Sequence, residues 1–173
     1  LLVMITPDIS PRIRQALATL FDHVMEVPVI EKRTAQKLGQ RLQHYYASWI
    51  NQCFTKFHVL RLTQYEKVLF LDADMVAWKC PDDLFVQVSA PAGVCSLVDL
   101  DHDAYHGKLL SESLVRESML TQYGMRGFLY LLRPSDADFE QIRKRLDSVD
   151  VVGDLNHFIG PDERILTEFY MDR

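Results

Sequence analysis

The sequence predicts an α/β fold: a sandwich of helices around a mostly parallel sheet. Two observations predict it. Short apolar runs of strand length alternate with segments whose apolar residues recur at helical spacing, which is the pattern of βαβ units. The clearest of those runs, Lys67–Leu71, passes straight into Asp72-Ala73-Asp74. Carboxylates just past the carboxyl end of a strand stand where open α/β sheets bind ligands.

Leu1–Ile5 is apolar and partly β-branched, as in a strand covered on both faces. Ser10-Pro11 then gives a helix start, with Ser as N-cap and Pro at the first helical position. Ile13, Leu17, Leu20 and Val24 follow at helical spacing. Val27–Ile30 predicts a second strand. Residues 31–46 are polar and basic and predict a solvated loop or exposed helix. From Ser48 to Leu62, Ile50, Cys53, Phe54, Phe57 and Leu60 repeat at helical spacing. His58 on that helix reads as a hydrogen-bonded structural histidine. Pro81–Phe85 opens a turn or short helix, and Gly93–Leu97 predicts a strand. Asp99–Lys108 reads as a loop. A helix over Ser113–Tyr123, a strand over Phe128–Leu132, a helix capped by Ser135 and a last helix over Asp162–Tyr170 complete the chain.

The 173 residues suffice for one domain with its own core. A formal net charge of −5 argues against a nucleic-acid partner, which would need a basic stripe to displace counterions. No apolar run approaches the roughly 20 residues that span a bilayer, and no leader pattern opens the chain, so no membrane partner is expected. The three cysteines, Cys53, Cys80 and Cys95, show no CxxC spacing. They read as small buried hydrophobes of a reducing, cytoplasmic compartment. The core-like run beginning at Leu1 leads to the expectation that these residues are part of a longer protein.

Residues i and i+2 of an extended chain point to one side. Asp72 and Asp74 are therefore expected to face one cation together, or to divide a cation and a sugar hydroxyl between them. Hard divalent ions such as Mn²⁺ or Mg²⁺ take oxygen ligands and share them with a substrate diphosphate. The same FLDADMV string fits the hhhhDxDxV pattern of haloacid-dehalogenase-type phosphatases, with Asp72 as nucleophile. In those enzymes the motif lies on the first strand, whereas here several elements precede it. The acidic-histidine run at 99–106 (DLDHDAYH) reads as a solvated loop, with a metal site as the alternative.

The run TKFHVLRLTQYEKVLFLDADMVAWKCPDDLF, residues 55–85, resembles the glycogenin-like branch of the retaining GT-A glycosyltransferases, glycosyltransferase family 8. Its linked elements are TKFH, LTQY, LDAD and DDLF. LLVMITPDIS and GPDERILTEFY are similar to other elements of that family, and short viral glycogenin-like proteins are similar too. The resemblance implies a single GT-A domain over residues 1–173. It also implies retaining transfer of a hexose from a UDP-sugar to an acceptor hydroxyl, with Mn²⁺ or Mg²⁺. Asp72 and Asp74 would be metal ligands, and Ala73 would lie with them at the donor. Lys56 would reach the donor, while Asp162 and Glu163 would lie by the transferred sugar. A homodimer is one assembly it leaves open.

The chain departs from the family pattern in several places. The opening strand and helix are absent, as is the closing HxxGxxKPW-type element that supplies a third metal ligand; His106-Gly107 lies far upstream of where that element belongs. Glu163 stands where the family usually has Gln. Arg126 replaces an asparagine on the acceptor side, and Phe128 fills a glycine position. These departures leave two expectations open: a glycosyltransferase truncated at both ends, or a non-catalytic relative that acts by binding.

Overall fold

The computed structural model describes residues 1–33, 49–96, 102–121, 124–148 and 160–173. The basic run at 34–46 and part of the acidic-histidine run lie outside them. In order, the elements are β1 (Leu2–Ile5), α1 (Pro11–Leu17), β2 (His23–Glu26), the 3₁₀ helix η1 (Ile50–Arg61) and β3 (Val68–Leu71). After these come α2 (Asp83–Gln87), β4 (Ala92–Ser96), α3 (His102–Tyr105), α4 (Glu112–Thr121), β5 (Gly124–Leu132), α5 (Asp136–Ser148) and α6 (Pro161–Met171).

The fold is α/β, but the sheet is not mostly parallel among the described residues. β1 and β2 form a parallel pair, whereas β5 lies between β3 and β4 and runs antiparallel to both. A continuous apolar run such as Val68–Leu71 marks a buried strand and says nothing of its direction, which the tertiary partner decides.

Local signals set the first helix. Ser10 caps α1, accepting from Ile13 N at 3.4 Å, and Pro11 takes the first position. The helix ends at Leu17, so Leu20 and Val24 do not extend it, and Val24 belongs to β2 instead. The second strand lies four residues earlier than Val27–Ile30. Val27 N still donates to Ile5 O at 2.8 Å, but Pro28 has no N–H to continue the ladder. The segment turns onto η1 instead: Ile30 N donates to Thr55 Oγ1 at 3.1 Å and Lys32 N to Asn51 O at 2.9 Å. His58 Nε2 lies 2.9 Å from the Pro28 carbonyl oxygen, and the ring packs 5.2 Å from Phe139. That histidine is structural, as expected.

The long helix over residues 50–61 is 3₁₀ rather than α, and its winding positions the site. Side chains at i and i+3 eclipse in a 3₁₀ helix. Phe54, Phe57 and Leu60 therefore form one fully buried row, and Cys53, Lys56 and Val59 the row beside it. The apolar spacing fits a period of three as well as 3.6, so the two windings were not separable in sequence. Around this row lie Leu132, Ile142, Leu146 and Ile165, each buried, which joins η1, β5, α5 and α6 in one core. Burying a side chain of this size contributes roughly 1.5–3 kcal/mol.

Ser135 fastens α5 at its start: its Oγ accepts from Asp138 N at 3.1 Å and its own N donates to Leu60 O at 2.7 Å. The loop expected at 99–108 contains the short helix α3. Of the cysteines, Cys53 is buried, Cys95 half-buried and Cys80 exposed, so Cys80 departs from the expectation of a buried thiol; all three are free.

Candidate functional site

The site forms where β3 ends, where β5 bulges and where α6 begins. On the β4 side of β5 the register passes from Gly93↔Tyr130 to Val94↔Arg126, so residues 127–129 stand out of that ladder. On the β3 side Leu71 still pairs with Leu129, and Asp72 N donates to Phe128 O at 3.0 Å. A bulge of this kind re-aims backbone and side chains beside functional sites. Here it presents both polar groups of Gly127 to the surrounding charged residues.

Lys56 occupies the centre. Its ammonium forms ion pairs with Asp162 Oδ2 at 2.9 Å and Asp72 Oδ1 at 3.1 Å, and it donates to Gly127 O at 3.1 Å and to Asp72 Oδ2 at 3.5 Å. Protein oxygens thus surround an ammonium that carries three N–H donors. Burial alone would pull the Lys56 pKa down, but Asp162 first and Asp72 second outweigh it and raise it, keeping the group charged. Burial raises the Asp72 carboxyl, and Lys56 works against that rise.

Glu163 is a clamp. Its Oε1 accepts from Gly127 N at 2.5 Å and its Oε2 from Gly160 N at 2.6 Å. The second bond reaches back over the first turn of α6, as the third residue of a capping box does. Both oxygens are therefore engaged by backbone, joining the β5 bulge to the start of α6. Burial raises the Glu163 carboxyl, while the Gly160 and Gly127 amides oppose the rise. Arg126 Nε lies 4.0 Å from Glu163 Oε1.

Lys56, Asp72, Asp162 and Glu163, all named from sequence, are thus brought together. Asp74 and Ala73 are not drawn into the same contacts. Met75 N donates to Asp72 O at 3.1 Å, so the Asp-Ala-Asp stretch is a turn. Asp72 is half-buried against Lys56, whereas Ala73 and Asp74 are exposed. The strand stops at Leu71, so Asp72 and Asp74 flank a turn rather than lying along the extended chain expected from sequence. Among the described residues, no three His, Cys, Asp or Glu side chains form a group that could hold a metal. Of the acidic-histidine run, His102–Tyr105 is helical.

Sequence reading did not single out Tyr130, whose hydroxyl is buried with no hydrogen-bond partner among the described residues. Burial raises its pKa well above the usual tyrosine value, and the charges of Asp162, Glu163 and Asp72 add to the rise. A tyrosine inside an apolar strand was the available signal, since a buried Tyr hydroxyl ordinarily finds a partner.

No family model matches the chain. The chain is 25% identical over 171 residues to the uncharacterized protein R707 of Acanthamoeba polyphaga mimivirus, which covers 99% of this chain and 56% of that protein. It is 33% identical over 86 residues to a glycogenin of Neurospora crassa, across 49% of this chain and 12% of that protein. It is 35% identical over 85 residues to glycogenin-1 of Homo sapiens, across 49% of this chain and 23% of that protein. The chain thus spans 56% of the length of the viral relative and no more than 23% of these two glycogenins.

Proposed function

We propose that this chain carries the donor side of a glycosyltransferase site that moves a hexose from a UDP-sugar to an acceptor hydroxyl with retention of configuration. The observation that carries the reading is the cluster of Asp72, Asp162 and Lys56 at the end of β3. It joins residues up to 106 positions apart (56 to 162) around one ammonium. The similarity of half the chain to glycogenins supports the same reading.

The donor chemistry suits Mn²⁺ or Mg²⁺. Asp72 and Asp74 offer hard carboxylate oxygens two residues apart, and such ions are held by one or two carboxylates completed by substrate phosphates. Bound there, the ion would offset charge on the leaving diphosphate. The remaining roles fall to the chain. Lys56 holds Asp162 in one orientation, and the buried carboxylate presents negative charge toward a sugar that becomes oxocarbenium-like as its bond to the diphosphate breaks. Burial keeps water from screening that field. Glu163, with both oxygens engaged by backbone, fixes the start of α6 and with it Asp162. The acceptor oxygen would then bond the anomeric carbon from the face the diphosphate leaves, which keeps the configuration, and the hydroxyl proton would pass to the departing diphosphate oxygen.

A second reading, nucleotide-sugar binding without turnover, is favoured by the enclosure of the Lys56 ammonium among Asp72, Asp162 and Gly127. Incubation with UDP-glucose or UDP-galactose and Mn²⁺ separates the two. Transferase activity is expected to show as slow UDP release that Asp162→Asn lowers at least ~10-fold, the loss of one charged contact in the transition state. Binding without release above buffer establishes the second reading.

A further inference from the structure

The turn that carries Asp72 and Asp74 opens into a segment with large apolar side chains on the surface. Every residue from Ala73 to Cys80 is exposed, and Met75, Val76 and Trp78 are among them. Tryptophan is highly buried on average, yet Trp78 is 91% exposed.

The segment is held at both ends. At its start Asp72 N donates to Phe128 O at 3.0 Å, and the Asp72 carboxylate meets Lys56. At its end Leu84 N donates to Pro81 O at 3.0 Å, and Lys67 Nζ donates to Phe85 O at 2.7 Å, which ties α2 back to the residue before β3. The indole therefore stands on an anchored loop. Loops positioned by a rigid scaffold are where binding residues concentrate.

Size and place decide what covers it. A stable protein interface takes about 800 Å² per partner. An aromatic side chain offers roughly 150–250 Å², so Trp78 with Met75 and Val76 falls short of that. A pyranose ring matches one indole face: its C–H groups lie against the electron-rich side of the ring. Its hydroxyls stay open to an exposed carboxylate such as Asp74, four residues away. Trp78 follows Asp72 by six residues, at most roughly 22 Å along the chain. An oligosaccharide seated on the indole can span that distance and bring a hydroxyl to the donor sugar.

We propose that Trp78 is the acceptor platform of this site, on which a pyranose ring of a glycan acceptor stacks. That role rests on the glycosyltransferase reading above and gives the site its acceptor class, a carbohydrate and not a protein hydroxyl.

Calorimetric titration tests it on wild type, Trp78→Ala and Trp78→Phe, with maltotriose, cellotriose and chitotriose as glycan probes and UDP with Mn²⁺ as the donor probe. Wild type is expected to bind at least one trisaccharide. Trp78→Ala is expected to lose roughly tenfold or more in affinity for it, the scale of one stacked aromatic side chain, and to keep its UDP affinity. Trp78→Phe, with a smaller ring, is expected to keep part of the glycan affinity. The thermal midpoint of Trp78→Ala should match wild type, because the side chain is exposed. Wild type that binds no trisaccharide, or a trisaccharide affinity that survives Trp78→Ala, overturns the assignment. A loss of UDP affinity alone overturns it too and makes the indole a platform for the uracil ring. So does sedimentation that shows a wild-type dimer and a Trp78→Ala monomer, which makes this face a contact between copies. Wild type that takes a trisaccharide through Trp78 but no UDP upholds the platform and overturns the donor reading.

Discussion

Lys56→Ala is expected to lower the stability of the folded chain by about 3–5 kcal/mol, the range for breaking a buried ion pair from one side. The magnitude follows from what remains. The Asp162 carboxylate, 8% exposed, loses its partner at 2.9 Å, and Asp72 loses the ammonium at 3.1 Å. The Gly127 carbonyl loses its donor in the same step. Asp162, buried at the start of α6, cannot turn to water without moving that helix, whereas Asp72 is already one-third exposed and contributes less to the loss. Urea unfolding followed by circular dichroism is the check: the midpoint should fall while the slope with denaturant stays constant. Adding Asp162→Asn to Lys56→Ala should recover part of the loss, because a neutral amide is cheaper to bury than an unpaired carboxylate. A loss under about 0.5 kcal/mol, the size of a surface change, would show that Lys56 is solvated rather than enclosed.

Gly127→Val should be nearly as damaging, for steric rather than electrostatic reasons. A Cβ at this position would lie 2.8 Å from Glu163 Cγ, 3.0 Å from Asp162 Oδ2 and 3.1 Å from Glu163 Oε1. Glu163 cannot swing aside while Gly127 N and Gly160 N hold its two oxygens. The backbone of Gly127 is not in the left-handed region, so contact and not φ is what excludes a side chain. Overpacking of this kind costs about 1–3 kcal/mol. Separating Gly127 N from Glu163 adds about 1–3 kcal/mol for a buried group left unsatisfied. Thermal unfolding of Gly127→Ala and Gly127→Val should give a graded loss, with valine the worse. A Gly127→Ala variant as stable as wild type would place the cost elsewhere than at the Glu163 contact, since alanine already carries the Cβ.

What could be read in the sequence divides along physical lines. Ser10-Pro11 and Ser135 mark helix starts because a cap is a contact between residues three apart. Leu2–Ile5 and Val68–Leu71 are legible as strands because burial of a short run is a local property of composition. The direction of β3 and β4 against β5 is not local, and the expected parallel sheet therefore gave way to an antiparallel one. The winding of η1 was hidden because Phe54, Phe57 and Leu60 satisfy a period of three and also fall close to one of 3.6. At the site, Lys56, Asp72 and Asp162 were each named from their own motifs, and the structure brings them together. The bonds Glu163 makes at Gly127 and Gly160 could not be seen, because Gly127 N lies 36 residues from the carboxylate it meets. Asp74 was expected beside Asp72, and the turn after Leu71 sets them apart in exposure.

One measurement bears most directly on the proposal that this cluster is the donor site. UDP-glucose or UDP-galactose is titrated calorimetrically with Mn²⁺ into the wild-type chain and into Asp72→Asn and Asp74→Asn. The expected result is metal-dependent binding that each substitution weakens at least ~10-fold, a change of about 1.4 kcal/mol. Wild type that takes up neither sugar nucleotide, or that binds one equally well with both aspartates replaced, would contradict it.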